Sequence, residues 1–346
     1  FKQILSMGFA WVIIVSIPGA LIAEYFNVPL AWFLGPMIIT SVLSLCGVKT
    51  KMPKLVLSTV LIFLGLYIGN YIDKSLFSQI HQWAWTSLIM LAYIIVSVLL
   101  VSKYLQKFSG YEKKTSVFSA APGALGPLLI LAEDQKSDLS QVATAHLIRL
   151  IIIITVFPFI VDSFYTSENI NFSETIIENQ NIFDLLILIV LSITLIIIFD
   201  KLKIPAALLA GTLVASGFLQ ISEIAAYKLP GNIIDYCLLI LGSSVGCRFA
   251  NKTFNEIAKN TLHSFVATFF LVLLGFLAAV VASYVIDQNF FTLLLSYCPG
   301  GIYEVAVIAI FFNLDPEFVS FHHIIRLLLI LFFVPIILKF SNKKRL

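Results

Sequence analysis

Long apolar runs recur along the whole chain, with polar residues confined to short stretches between them. Twelve apolar segments can be marked off, at 4–23, 30–48, 53–72, 83–102, 115–132, 140–161, 183–199, 205–222, 231–249, 261–286, 290–312 and 317–338. Crossing a hydrocarbon layer roughly 30 Å thick takes about 20 apolar residues in a helix, so runs of this kind predict membrane-spanning helices. The first run, from Ile4 to Ala23, is followed by no small-residue cleavage pattern and reads as a span rather than a signal peptide.

The basic residues decide how many segments cross. The stretch from Asp162 to Asn181 holds Asp162, Glu168, Glu174 and Glu178 and no Lys or Arg, so it is expected outside. The tail holds Lys339, Lys343, Lys344 and Arg345 and is expected in the cytoplasm. Six crossings between them would return the tail to the outside; five fit. The segments to demote are 115–132 and 290–312, each interrupted by a Pro-Gly pair, at Pro122-Gly123-Ala124 and Pro299-Gly300-Gly301. If both enter and return on one side, about ten full spans remain. Eighteen Lys and Arg then fall inside, including Lys2 and so an inside N-terminus; only Lys74 and Lys228 fall outside, and Arg149 and Arg326 sit within spans.

The pattern repeats. Gly65, Gly69, Pro122-Gly123, Asp138, His146, Arg149 and Pro158 recur 177 residues later as Gly242, Gly246, Pro299-Gly300, Asp315, His323, Arg326 and Pro335. Val28-Pro29 recurs as Ile204-Pro205 at 176. Seven matches at one offset indicate a duplication. Each half has five crossings, an odd number, so the second copy enters from the opposite side. The expected fold is an all-α polytopic membrane protein of two inverted-topology repeats, with two Pro-Gly-broken re-entrant segments. The expected divisions are a first membrane repeat over 1–161, an acidic external linker over 162–181, a second repeat over 182–340 and a basic cytoplasmic tail over 341–346. Inverted repeats are the architecture of many secondary transporters, whose discontinuous segments meet near the midplane.

Composition agrees with this class. The chain is 60% hydrophobic and only 12% charged, about half the charged share of a soluble domain. Nothing resembles a nucleic-acid-binding patch. Cys46, Cys237, Cys247 and Cys298 are scattered in apolar segments without paired spacing and read as small buried hydrophobes. Trp83 and Trp85 suit an interfacial aromatic belt. Two further features have ready packing roles: the G-x-x-x-G pairs let helices approach closely, though Asn70 beside Gly69 could reach a cavity.

The residues that carry chemistry cluster at the breaks. Proline removes a backbone donor and clashes with the preceding turn, and glycine tolerates conformations other residues avoid. Broken backbone at membrane depth must be buried in protein or line a wet cavity. Asp138 and Asp315 read as helix N-caps, with Pro316 at a first helical position. Counted from those caps, Arg149 and Arg326 lie about 16 Å along their helices, near the bilayer middle. A charge there costs at least ~2.5 kcal/mol on insertion scales, so neither is expected to face lipid. His146 and Arg149, like His323 and Arg326, are three residues apart and share a helix face; His322 is four before Arg326. Two roles fit the arginines: binding an anionic group through the planar guanidinium, or bracing the carbonyls freed by the break. Glu304, four residues after Gly300, suits the positive end of the half-helix that follows, as a proton or cation site or as a counter-ion of Arg326. The histidines could switch protonation or sit neutral on backbone. The candidate substrate-binding residues are therefore Arg149, Arg326, Gly123, Ala124, Gly300, Gly301, Glu304, His146 and His323. No catalytic residue, metal or cofactor is expected.

A Pro-Gly-Ala or Pro-Gly-Gly break, followed later by His-x-Ile-Arg, occurs once per half, with the fuller form at Pro299-Gly300-Gly301-Ile302-Tyr303-Glu304-Val305-Ala306. This signature resembles the AbrB family of bacterial integral membrane proteins over essentially the whole chain. The first half departs from the fuller form: Gly126 and Pro127 stand where Tyr303 and Glu304 stand in the second. The resemblance implies the bacterial cytoplasmic membrane, and family members carry the labels ammonia monooxygenase and regulator. Three functions are then in play. The first is a non-enzymatic secondary transporter moving a small anionic metabolite, with a coupling proton or sodium ion and the lipid bilayer as surroundings. The second is a membrane sensor or regulator acting through a partner. The third is an oxygenase, for which the inventory of five histidines is poor. Whether the chain forms a homo-oligomer is left open.

Overall fold

The computed structural model describes residues 9–72, 76–123, 125–165, 181–224, 232–250 and 254–343. Every regular element among them is an α-helix. The first seven are α1 (Phe9–Tyr25), α2 (Ala31–Leu45), α3 (Lys54–Gly69), α4 (Leu76–Phe108), α5 (Lys113–Ala120), α6 (Leu125–Asp134) and α7 (Leu139–Phe164). The next seven are α8 (Ile182–Lys201), α9 (Ala207–Ser222), α10 (Asn232–Cys247), α11 (Phe254–Ser283), α12 (Phe290–Tyr297), α13 (Ile302–Phe311) and α14 (Pro316–Lys343). Among the described residues, α4, α7, α8, α11 and α14 are long and apolar enough to cross a bilayer, and most of the others are shorter apolar helices. This is the make-up of an α-helical membrane protein.

The twelve sequence segments appear as fourteen helices because the two Pro-Gly segments each divide. Segment 115–132 becomes α5 and α6, and segment 290–312 becomes α12 and α13. The two interrupted pairs have the same lengths, eight residues then ten. Backbone strain follows the sequence offset as well. Asn27 and Leu30 take positive φ of 50° and 55°, and Lys203 and Ala206, 176 residues on, take 56° and 55°. Lys136 and Asn313, 177 apart, take 56° and 51°. Side chains with a Cβ rarely adopt this region, so its recurrence at matched positions reflects matched chain reversals.

The chain forms two compact units that cut across the sequence halves. One comprises Phe1–Leu76, Pro158–Phe254 and Ile310–Glu317; the other comprises Phe77–Phe157, Asn255–Ala309 and Phe318–Leu346. A repeat and a compact unit are thus different divisions of this chain.

The first unit is built on α1–α3 and α8–α10, with α3 packed on α9, α10 on α2, α1 on α2 and α8 on α9. Its glycines are where helix backbones touch. A Cβ on Gly65 would run into the Leu209 carbonyl, and one on Gly69 into the Leu213 carbonyl. A Cβ on Gly242 would meet the Phe33 carbonyl, and one on Gly246 the backbone of Ser41. With no hydrophobic drive between helices in lipid, such close approach and interhelical hydrogen bonds supply the association. Ser216 donates to the Leu66 carbonyl at 2.9 Å, Ser44 to the Gly246 carbonyl at 3.0 Å, and Ser243 to Ser16 at 2.9 Å. Asn70 Oδ1 accepts from Ser216 at 3.0 Å. Cys46 is exposed just past the end of α2, unlike the buried Cys237 and Cys298, and Cys247 is half-buried.

The second unit holds α5, α6, α12 and most of α4, α7, α11, α13 and α14. Val101 and Leu105 of α4, Tyr111, Ala120 of α5, and Ala267 and Leu271 of α11 form a buried cluster within it. Asp138 caps α7 as expected, accepting from the Gln141 N–H at 3.0 Å while its own N–H donates to Thr115 Oγ1 at 3.1 Å. α14 begins at Pro316, directly after Asp315. Trp83 departs from the interfacial reading: it is buried, with its ring 5.3 Å from Phe318 and 4.8 Å from Phe321, whereas Trp85 is exposed. Alternation of faces along α4 separates them, since neighbours on a helix point about 100° apart.

Candidate functional site

Both breaks and both arginines fall in the second unit. α5 ends at Ala120 and α6 begins at Leu125; α12 ends at Tyr297 and α13 begins at Ile302. Between them lie Gly123, Gly300 and Gly301, the first two fully buried and the third half-buried. Ala124 lies outside the described residues. Each break packs against the arginine-bearing helix of the other half. A Cβ on Gly123 would strike Ile330 of α14, and one on Gly300 would crowd Ile153 of α7. Ile153 and Ile330 are themselves 177 residues apart. An added side chain at either glycine would press on the neighbouring isoleucine, which would have to shift.

Arg326 is fully buried and clasps its own half's break. Its Nη1 donates to the Cys298 carbonyl and its Nη2 donates to the Gly300 carbonyl at 2.6 Å. These are carbonyls that the interrupted helix leaves without intrahelical partners, and a guanidinium presents two donors in a fixed fork that suits them. Of the two roles the sequence left open, bracing is the one these bonds express for Arg326. Its Nε is buried with no protein partner.

The histidines lock onto the same arrangement. His323 Nε2 lies 3.0 Å from the Leu295 carbonyl, and its Nδ1 lies 3.1 Å from Arg326 Nη2. His146 repeats this: Nε2 lies 3.0 Å from the Phe118 carbonyl and Nδ1 meets Arg149 Nη2. A carbonyl only accepts and a guanidinium only donates. Each ring must therefore carry its proton on Nε2 and offer a lone pair at Nδ1. A second proton would set N–H against N–H, so neither histidine of the repeated pair can act as a switch while these bonds last.

Glu304 stands in the first turn of α13, 1% exposed. A Cβ on Gly301 would fall on its carboxyl group, so the acid folds back over the residue preceding the helix. A carboxyl group at this position serves the positive end of α13. Its place in α6 is held by Pro127. Arg149 and Arg326 lie within electrostatic reach of each other and of Tyr93 and Cys298, so the two half-sites converge. Glu304 is the single acid among the described buried side chains, against two buried guanidiniums. Among the described residues, at least one positive charge is thus left without a buried acidic counterpart.

Sequence reasoning missed three residues beside this centre. Tyr93 of α4 is buried and donates to the Leu271 carbonyl at 3.3 Å. Tyr297 donates to the Thr86 carbonyl at 2.7 Å, and Thr86 Oγ1 lies 2.7 Å from His322 Nε2. Tyr297, a polar-tipped residue abutting the Pro299 break, was legible as a candidate; Thr86 and Tyr93 carry no local signal. Among the described residues no group of three His, Cys, Asp or Glu side chains comes together.

The sequence model of the family described as "Transition state regulatory protein AbrB" matches residues 2–75 and 32–342. A Bacillus subtilis (strain 168) protein named "Uncharacterized protein YhjN" is 23% identical over 354 residues, covering 94% of this chain and 91% of that protein. An Escherichia coli (strain K12) protein named "Putative regulator AbrB" is 23% identical over 327 residues, covering 91% of each. No solved structure matches the chain.

Proposed function

We propose, from the premise that this chain belongs to the AbrB family, that it is a secondary transporter passing a small anion across the bacterial cytoplasmic membrane. The observation that carries the reading is the charge imbalance at the two helix breaks: among the described residues, two buried guanidiniums against one buried acid. Buried charge is costly unless compensated, and an anion bound between the breaks compensates it. The broken helices support the same reading, since discontinuous helices in duplicated halves are where secondary transporters hold substrate. The duplication is read as inverted, with about ten crossings and both termini in the cytoplasm, following the basic-residue count. The protein is not read as an enzyme.

The test is transport in proteoliposomes holding the full chain, offered small carboxylates, phosphate and sulfate under pH, sodium or voltage gradients. Saturable movement of one anion class, absent from empty liposomes, is the expected result. No movement of any anion under any gradient would overturn the proposal. A second reading, a membrane regulator acting through a partner, is favoured by the name of the Escherichia coli relative. A stable partner co-purifying with a chain that moves nothing would select it.

A further inference from the structure

Among the described side chains of the second unit, three histidines are buried, and one is held differently. His146 and His323 each face a guanidinium, which fixes them in one neutral tautomer. His322 has no counterpart in the first half, where Ala145 takes its place. It is fully buried, with Nδ1 2.8 Å from the Phe318 carbonyl and Nε2 2.7 Å from Thr86 Oγ1. Nδ1 must donate, because a carbonyl only accepts. Nε2 faces a hydroxyl, which can donate or accept.

That hydroxyl has an alternative acceptor in place. Thr86 Oγ1 also lies 3.0 Å from the Trp83 carbonyl. With neutral His322, the Thr86 hydroxyl donates to Nε2. With protonated His322, Nε2–H donates to Oγ1 and the hydroxyl turns to the Trp83 carbonyl. Every donor has an acceptor in both states, and only one hydroxyl rotates. The added proton comes from solvent and rests on Nε2.

Four aromatic rings surround the imidazole. The Phe318 ring lies 4.1 Å from the His322 ring at 33°, and the Phe321 ring 5.4 Å away. Trp83 and Tyr297 complete the surround at 6.3 Å and 6.4 Å. Aromatic faces within about 6 Å stabilise a desolvated cation. Tyr297 from α12 and His323 on its own helix are the titratable groups packed near the ring, and Arg326 follows one turn later. The part of α4 against it contributes Trp83 and Thr86, neither ionisable here.

We propose that His322, seated between Thr86 and an aromatic surround, is the proton-binding position of this protein. Resting on the transport reading, it supplies the coupling ion: a proton on α14 adds positive charge one turn from Arg326, so proton and anion each favour binding of the other. Glu304 and His323, the coupling candidates named from sequence, are then respectively a helix-end acid and a fixed neutral donor.

The experiment follows Trp83 emission in the full-length protein, in detergent, with Trp11, Trp32 and Trp85 replaced by Phe. A protonated imidazole beside an indole quenches it. Between pH 8 and pH 4 the parent is expected to lose emission with a single-proton transition, and His322→Gln to stay flat. Thr86→Val keeps the ring but removes the acceptor that the imidazolium needs, and is expected to lower the midpoint by about one pH unit. A flat parent, or an unchanged curve in His322→Gln, would overturn the proposal. If His322→Gln does not fold, Thr86→Val decides: a midpoint equal to the parent's overturns it. No substrate is involved, so the outcomes separate. A protein that titrates but transports nothing removes the transport reading alone; one that transports without titrating removes the proton site alone.

Discussion

The two units of this chain bury different chemistry. In the unit built on α1–α3 and α8–α10, the described buried polar side chains are hydroxyls alone, such as Ser16, Thr40, Thr212 and Ser243. In the other, hydroxyls are joined by Arg149, Arg326, Glu304 and three histidines. The first unit keeps its helices whole and brings their backbones together at glycine. The second interrupts two helices and holds the interruptions with charge. A membrane protein has little reason to bury charge for stability, since a mid-bilayer ion is costly. The charged unit is therefore where function is to be sought, while the glycine-packed unit is held by close helix approach.

Substitutions at four positions test this contrast, in falling order of expected effect. Arg326→Ala orphans the Cys298 and Gly300 carbonyls together, and is expected to destabilise by about 3–5 kcal/mol, read as a large fall in melting temperature in detergent. Arg326→Lys, with a single ammonium, should recover part of that loss; full recovery would show that the fork geometry is irrelevant. In the other unit, Gly246→Leu forces α10 off α2 and is expected to cost about 1–3 kcal/mol. It should lower the melting temperature and leave the Trp83 titration unmoved, and a shifted titration would break the division of labour between the units. Asp138→Ala removes the α7 cap for about 1 kcal/mol, with Asp138→Asn close to neutral. Glu304→Gln keeps the shape and loses the charge at the start of α13, for roughly 0.3–1 kcal/mol of stability. That small melting shift should accompany a changed anion preference in proteoliposomes.

Much of the frame was legible in the sequence because it rests on local rules. Apolar run length predicted helices, Pro-Gly predicted where two would break, and the Asp138 cap was visible from its spacing to the following helix. The 177-residue offset named His146 with Arg149 and His323 with Arg326 before any contact was known. What stayed hidden depends on residues far apart in the chain. Thr86 and His322 are separated by 236 positions, and Tyr297 and Thr86 by 211. Nothing in a run such as Trp83-Ala84-Trp85-Thr86 says which tryptophan turns inward or which hydroxyl meets an imidazole. For the arginines the sequence offered bracing of the break beside anion binding, but not which carbonyls Arg326 would hold: those of Cys298 and Gly300.

Each unit is assembled from separated stretches of chain, and this bears on how the protein is made. Most of the first unit has been synthesised by Phe254, whereas the second is incomplete until α14 has emerged. Arg326 thus leaves the ribosome after Cys298 and Gly300, the residues it serves. During that interval the open break must borrow hydrogen bonds from water or from the insertion machinery. A chain arrested before α14 would carry an unserved interruption, a mark by which quality control could tell an unfinished protein from a finished one.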